Sequence, residues 1–198
     1  MILIALDPGP ERTGWCELHD GVIGSHGWDA NAVVLRSVRG CIAEDDYLTV
    51  IESPQPQDNP LGPALRNTIL WAGRYIEALE YNRAKYKEVD ERDIRAWITG
   101  SRTGDNAALK QELKNIFGDK RQEPCGVCRA EGTVSGKRGA IKCKCCGGRK
   151  YVTLPGPLAK MNEHELSALA VAFVVQKQAD IEAQRAEFKR VLTQGATG

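Results

Sequence analysis

The sequence predicts an α/β fold: a mixed five-stranded sheet flanked by helices, with a small zinc-ribbon or zinc-knuckle segment inserted before the last helix. Three observations carry this. Two short apolar runs, 2–6 and 47–51, have the length of strands buried on both faces, and each ends on a carboxylate, Asp7 or Glu52, with a proline break close behind. Stretches of helical periodicity separate the strand-like runs. Five of the seven cysteines lie between Cys125 and Cys146, which is a metal-binding pattern rather than a disulfide framework.

The chain has 198 residues, enough for one good core and a small appendage. No apolar run is long enough to span a bilayer and no secretory signal opens the sequence, so the expected compartment is the cytoplasm. A net charge of +1 carries no nucleic-acid signal by itself, but its distribution does. Residues 1–60 hold three Lys/Arg against ten Asp/Glu, whereas residues 125–150 hold seven against one. The acidic region suits cations and the compact basic segment suits phosphates; a solvated loop is the plainer reading of the latter.

Residues 2–7, 13–19 and 21–28 read as three consecutive strands, with Asp20-Gly21 as the hairpin turn between the second and third. Residues 30–43 have helical spacing and cross over the sheet. The strand 47–51 follows and ends on Glu52. Tips of neighbouring parallel strands share an edge where ligands bind, and two carboxylates there repel unless a cation lies between them. That is the physical case for a site holding Mg²⁺ (or Mn²⁺) on oxygen ligands. A lone Asp7 would merely end a strand; the recurrence at Glu52 argues otherwise.

Residues 63–84 form a long amphipathic helix with a core stripe of Leu65, Ile69, Ala72, Ile76 and Leu79. Trp71, Tyr75 and Ala78 make a second stripe, either extra core contact or a subunit interface. A short strand at 86–89 and helices at 91–99 and 105–117 come next. The polar loop between those helices carries Arg102, a candidate phosphate contact in what is otherwise a plain connector.

Cys125-x-x-Cys128 and Cys143-x-x-Cys146 are two knuckles whose four thiolates fit one structural tetrahedral Zn²⁺, with no coordination position left open. With no other core available, the metal would hold this segment folded; a disulfide is the alternative. Cys145 is either a spare thiol or an alternate ligand. Arg129, Lys137, Arg138, Lys142, Lys144, Arg149 and Lys150 around the knuckles suit a phosphate backbone. The last helix runs from 161 to 192, with Leu166, Leu169, Ala170 and Phe173 toward the core. Glu163, His164 and Ser167 cluster on another face near its start, where N-terminal polar residues are also favoured by the helix dipole. Glu165 lies on a different side and is a weaker candidate. The expected division is a core at 1–122 completed by 155–192, an insertion at 123–154, and a frayed tail at 193–198.

Several of these segments resemble one family. Ile4-Ala5-Leu6-Asp7-Pro8-Gly9 with Thr13-Gly14-Trp15 is similar to the opening motif of RuvC-type Holliday junction resolvases, within the RNase H-like (retroviral-integrase) nuclease superfamily. Val50-Ile51-Glu52 resembles the family's second, glutamate-bearing motif, and His164 to Ala172 its closing helix. The resemblance covers all but the zinc segment and the tail. It implies phosphodiester hydrolysis with two metal ions, Asp7 bridging both, Glu52 and last-helix groups each helping to hold one, and His164 as ligand, proton carrier or water positioner. It further implies nicks with 5′ phosphates in a four-way DNA junction, made by a homodimer whose interface candidate is the helix at 63–84.

Two departures matter. Ser167 stands where the family's last motif places an Asp, so the site works with Asp7, Glu52 and His164, helped by Glu163, or it is weakened. The zinc insertion resembles the zinc-finger insertion in RuvC-type domains of transposon-associated RNA-guided nucleases, which suggests a phage-borne or mobile-element protein. The competing readings are a non-catalytic binder of branched DNA and a related nuclease acting on flaps or RNA–DNA hybrids.

Overall fold

A computed structural model describes residues 1–40, 46–54, 61–118, 120–125, 127–129, 131, 133–136, 139–146 and 149–195. Lys137, Arg138, the end of the helix expected at 30–43 and the last three residues of the expected tail lie outside the described residues.

The chain opens as a meander: β1 (Ile2–Pro8), β2 (Arg12–His19) and β3 (Val22–Ala30) pair antiparallel in sequence order. The turn between β2 and β3 is Asp20-Gly21, with φ of 49° and 86°. Two successive positive φ values match the right-handed twist of the flanking strands, and Asp and Gly tolerate them best. The helix α1 (Asn31–Gly40) leads to β4 (Tyr47–Ser53), which lies parallel to β1. Helix α2 (Pro63–Tyr81) then returns the chain to β5 (Tyr86–Asp90), parallel to β4. The sheet order is β3-β2-β1-β4-β5, so the expected mixed five-stranded sheet is observed. Helices α3 (Glu91–Thr99) and α4 (Asn106–Phe117) follow. Asp90 caps α3 by accepting from Arg92 N at 2.7 Å, and Gly100, at φ 75°, ends it.

The next strands are β6 (Lys120–Pro124), β7 (Thr133–Gly136), β8 (Gly139–Lys142) and β9 (Tyr151–Pro155), pairing β6 with β9 and β7 with β8. The chain closes with α5 (Glu163–Gly195). By packing it divides into two compact units, Met1–Glu112 with Met161–Gly198, and Leu113–Lys160. Among the described residues no helix is long and apolar enough to cross a membrane.

Strand alternation decides what each face of the sheet does. Leu6 and Ile51 pack with Val34, Leu35 and Val38 of α1 and with Ala72, Tyr75, Ala78 and Leu79 of α2. Asp7 and Glu52, one residue further along the same strands, point to the opposite face and meet α5. Each large apolar side chain removed from water in that core contributes about 1.5–3 kcal/mol, which fixes the register and with it the carboxylates.

One expectation is corrected. The buried face of α2 is Ala72, Tyr75, Ala78 and Leu79, whereas Ile69, assigned to the core stripe, is 37% exposed. Tyr75 and Ala78 therefore belong to the protein's own core and are not open to a second subunit. The cause is polar: Tyr75 Oη lies 2.8 Å from Thr13 Oγ1 and donates to Asn31 O at 3.3 Å, so the helix turns its tyrosine inward.

Candidate active site

The parallel register that pairs Leu6 with Ile51 puts Asp7 and Glu52 side by side at the tips of β1 and β4. Helix α5 crosses above them. His164 Nδ1 lies 2.9 Å from Asp7 Oδ2, and Ser167 Oγ donates to Glu52 Oε2 at 2.9 Å. His164 and Ser167 are three residues apart, so one helical face delivers both. These four line an open cleft of about 260 Å³ together with Glu163, Glu91, Arg95 and Asn106.

Gly14 makes the crossing possible. A Cβ there would sit 2.4 Å from His164 O and 2.7 Å from His164 Cβ. The start of α5 therefore rests directly on the backbone of β2, and only glycine fits beneath it. The helix start is itself fixed by a reciprocal cap: Asn162 Oδ1 accepts from Glu165 N at 3.0 Å, and Glu165 Oε2 accepts from Asn162 N at 2.7 Å. Glu165 Oε1 also meets His26 Nδ1 at 2.8 Å. Glu165 is thus committed to holding α5, away from the cleft.

Asp7 is held from below. The turn after it is closed by Gly9 N donating to Arg12 O at 2.9 Å. Asn31 Nδ2 donates to Gly9 O at 3.0 Å, and Thr13 Oγ1 donates to Asn31 Oδ1 at 2.7 Å. Thr13, Asn31 and Tyr75 are all buried, so this network is satisfied internally and ties β2, α1 and α2 to one turn. On the open side, Trp28 stacks on the His164 ring at 5.9 Å between centroids, nearly parallel, and the Arg12 guanidinium lies over the Trp28 ring at 4.6 Å.

Burial and repulsion between carboxylates dominate the electrostatics of the site, offset only in part by His164 and Arg95. Burial pushes the Asp7 carboxyl above its usual range, opposed by the His164 hydrogen bond. Glu52 is raised further, first by burial and then by the negative charges of Asp7 and Glu91. The hydrogen bond to Asp7 raises His164. Oxygen donors crowded against one another in a cleft open to solvent suit a hard divalent cation, which relieves both the burial and the repulsion. Asp7 and Glu52 could hold such an ion, with His164 at hand.

Sequence reasoning missed Glu91, Arg95 and Asn106. Arg95 donates from both Nε and Nη2 to Glu91 Oε1, from Nη1 to Gly104 O at 2.8 Å, and from Nη2 to Asn106 Oδ1 at 2.7 Å. The available signal was positional: Glu91 follows the tip of a third parallel strand, as Asp7 and Glu52 mark the tips of the first two.

In the second unit, the Sγ atoms of Cys125, Cys128, Cys143 and Cys146 lie within 4.8 Å of one another. Cys125 and Cys143 are 3.8 Å apart and Cys128 and Cys146 are 3.7 Å apart. A tetrahedron with zinc–sulfur arms of about 2.3 Å has edges of about 3.8 Å, so these thiols could hold Zn²⁺. Backbone N–H groups of Cys128 and Val127 aimed at Cys125 help pull its thiol down to about 6, toward the thiolate that a metal needs. Cys145 is exposed and outside the quartet. Arg129, Lys142, Lys144, Arg149 and Lys150 are exposed, and Arg102, also exposed, pairs with Asp93 at 2.6 Å.

No protein-family model matches the chain, and no curated protein matches it. Solved structures do. One of Thermus thermophilus RuvC aligns with a TM-score of 0.52 at 12% identity, covering 87% of this chain and 91% of that one. Another, T. thermophilus RuvC in complex with Holliday junction substrate, aligns with a TM-score of 0.52 at 13% identity, covering 87% of this chain and 90% of that one. At such identity the likeness is one of architecture, and on that measure the chain has a RuvC-like fold.

Proposed function

We propose that this protein is a structure-selective endonuclease that resolves four-way DNA junctions by divalent-metal-dependent phosphodiester hydrolysis. The observation that carries the reading is the meeting of two strand-tip carboxylates, Asp7 and Glu52, with His164 and Ser167 of the last helix in one open cleft. The RuvC-like fold supports it, since the compared protein is seen with a Holliday junction.

In this reading Asp7 and Glu52 bind Mg²⁺ or Mn²⁺, and Glu163 lends charge from the rim. When bound, the metal supplies Lewis acidity toward the phosphodiester and lowers the pKa of a water. His164, held on Asp7 and Trp28, orients the attacking water or carries its proton. Ser167 keeps Glu52 in position through its hydroxyl. The products are nicks with 5′ phosphates, and a homodimer places one cleft on each of two strands. Arg102 and the basic residues of the zinc unit, Arg129, Lys137, Arg138, Lys142, Lys144, Arg149 and Lys150, contact phosphates of the junction arms, so affinity falls steeply as salt rises. The setting is the cytoplasm of a bacterial or phage-infected cell.

Cleavage of a synthetic four-way junction in Mg²⁺ and in Mn²⁺ tests this, with linear duplex, flap and RNA–DNA hybrid alongside and Asp7→Asn as control. Paired symmetric nicks confined to the junction, abolished in Asp7→Asn, are the expected result. Preferred cutting of flaps or hybrids would move the substrate class. A second reading, a non-catalytic binder of branched DNA, draws on Ser167, an uncharged group hydrogen-bonded to Glu52. Tight junction binding with no cleavage in either metal would establish it.

A further inference from the structure

Two carboxylates, Asp7 and Glu52, meet at the centre of the candidate cation site, with Glu163 at its rim. Three adjacent parallel strands, β1, β4 and β5, run to the same edge of the sheet. Asp7 and Glu52 stand at the first two tips. Glu52 is level with Val89 and Ser53 with Asp90, so the first residue beyond the third tip is Glu91. It lines the same cleft as Asp7 and Glu52.

We propose that Glu91 is the third carboxylate of the cation site, supplying the charge that Ser167 does not. Asp7 and Glu52 carry two negative charges, half of what a pair of divalent ions brings, and Ser167 adds none. The way Glu91 is held fits the role. Arg95, only 16% exposed, takes Glu91 Oε1 with two of its nitrogens and is anchored in turn on Gly104 O and Asn106 Oδ1. Among the described residues, the hydrogen bonds to the Glu91 carboxylate all go to Oε1, and none goes to Oε2. One oxygen fixes the carboxylate and the other is left as a ligand, an arrangement that lowers the ordering cost of binding an ion. A purely structural Glu91, favoured at a helix start and paired i,i+4 with Arg95, would need none of this placement beside Asp7 and Glu52.

The inference rests on the reading of the cleft as a cation site, and the test separates the two. Mn²⁺ is titrated calorimetrically into the full, zinc-loaded chain without DNA, for the wild type, Asp7→Asn and Glu91→Gln. Glutamine keeps an oxygen for Arg95 to hold, so the metal-free variant should stay folded, which its melting curve checks. The expected result is Mn²⁺ binding weakened about ten-fold or more in Glu91→Gln, because affinity of oxygen-ligand sites follows ligand charge. Glu91→Asp, which keeps the charge, should retain more affinity than Glu91→Gln. Wild-type affinity in Glu91→Gln beside a loss in Asp7→Asn would overturn the assignment and leave the cation site standing. No Mn²⁺ uptake by the wild type would overturn both.

Discussion

Replacing Gly14 with alanine tests how the last helix is seated. The added methyl would lie 2.4 Å from His164 O, 2.5 Å from His164 C and 2.7 Å from His164 Cβ. Unstrained carbon contacts need about 3.5 Å, so the two backbones must part by about 1 Å. Neither can do so freely. β2 is an interior strand of the sheet, and the start of α5 is fixed by the Asn162–Glu165 cap and the Trp28 stack. Overpacking of this kind costs about 1–3 kcal/mol. For a chain of this size that is about 2–4 °C in Tm for each kcal/mol. The same displacement moves His164 and Ser167 relative to Asp7 and Glu52, and a misplacement of about 1 Å is worth about 100-fold in rate. The assay is urea denaturation together with junction-cleavage rate per folded molecule. Gly73→Ala on α2, where an added Cβ meets nothing within 4 Å, serves as the control and should be neutral or mildly stabilising. Unchanged stability in Gly14→Ala would refute the close approach. Lost stability with an undiminished rate would refute the claim that the seat of α5 sets the chemistry.

Two further outcomes follow from charge and metal. Glu52 is raised above its ordinary value of 4.5, so its contribution to folding is fully present below that value, while it is protonated in both states, and is lost as pH climbs through its folded value. Metal-free protein should therefore lose stability from about pH 4.5 toward neutrality; Glu52→Gln should melt above wild type at pH 7.5, converge with it at pH 4, and gain less from added Mg²⁺, with melting curves across pH as the check. Chelation should unfold the cysteine unit, whose buried cluster is four thiols with Val134 packed against it. Structural zinc is worth about 10–16 kcal/mol in small sites, far beyond what one valine supplies. Limited proteolysis after chelation should cut within 120–155 while Met1–Glu112 stays protected, and an unchanged digest would refute a structural metal.

Much of the site could be read from the sequence because its parts obey local rules. An apolar run ended by Asp7-Pro8-Gly9, and another ended by Glu52-Ser53-Pro54, announce strand tips without any knowledge of the sheet. The Asp20-Gly21 turn and the cysteine spacing are equally local. The face of α2 was legible in part: Ala72 and Leu79 of the expected core stripe are buried together with Tyr75 and Ala78 of the second stripe, whereas Ile69 is exposed. Periodicity alone could not choose between core and interface for Tyr75, because the choice is made by its hydroxyl's partners, Thr13 and Asn31. Glu91 was hidden for the opposite reason: a glutamate after Asp90 at a helix start is already explained by the dipole and by Arg95 four residues on. His164 and Ser167 could be grouped by helical spacing, but which carboxylate each would meet depends on how α5 crosses β1 and β4.

The order of the elements along the chain has a consequence for synthesis. Asp7 and Glu52 come together once β1 and β4 have paired, early in translation, and domains generally acquire structure from the N-terminal side as the chain emerges. Their partners arrive on α5, after the cysteine unit has been made. A nascent chain therefore presents a bare acidic edge until α5 emerges and docks, and the cleft is completed only then. Synthesis interrupted between β4 and α5 leaves fragments that have the acidic pair but not the cleft.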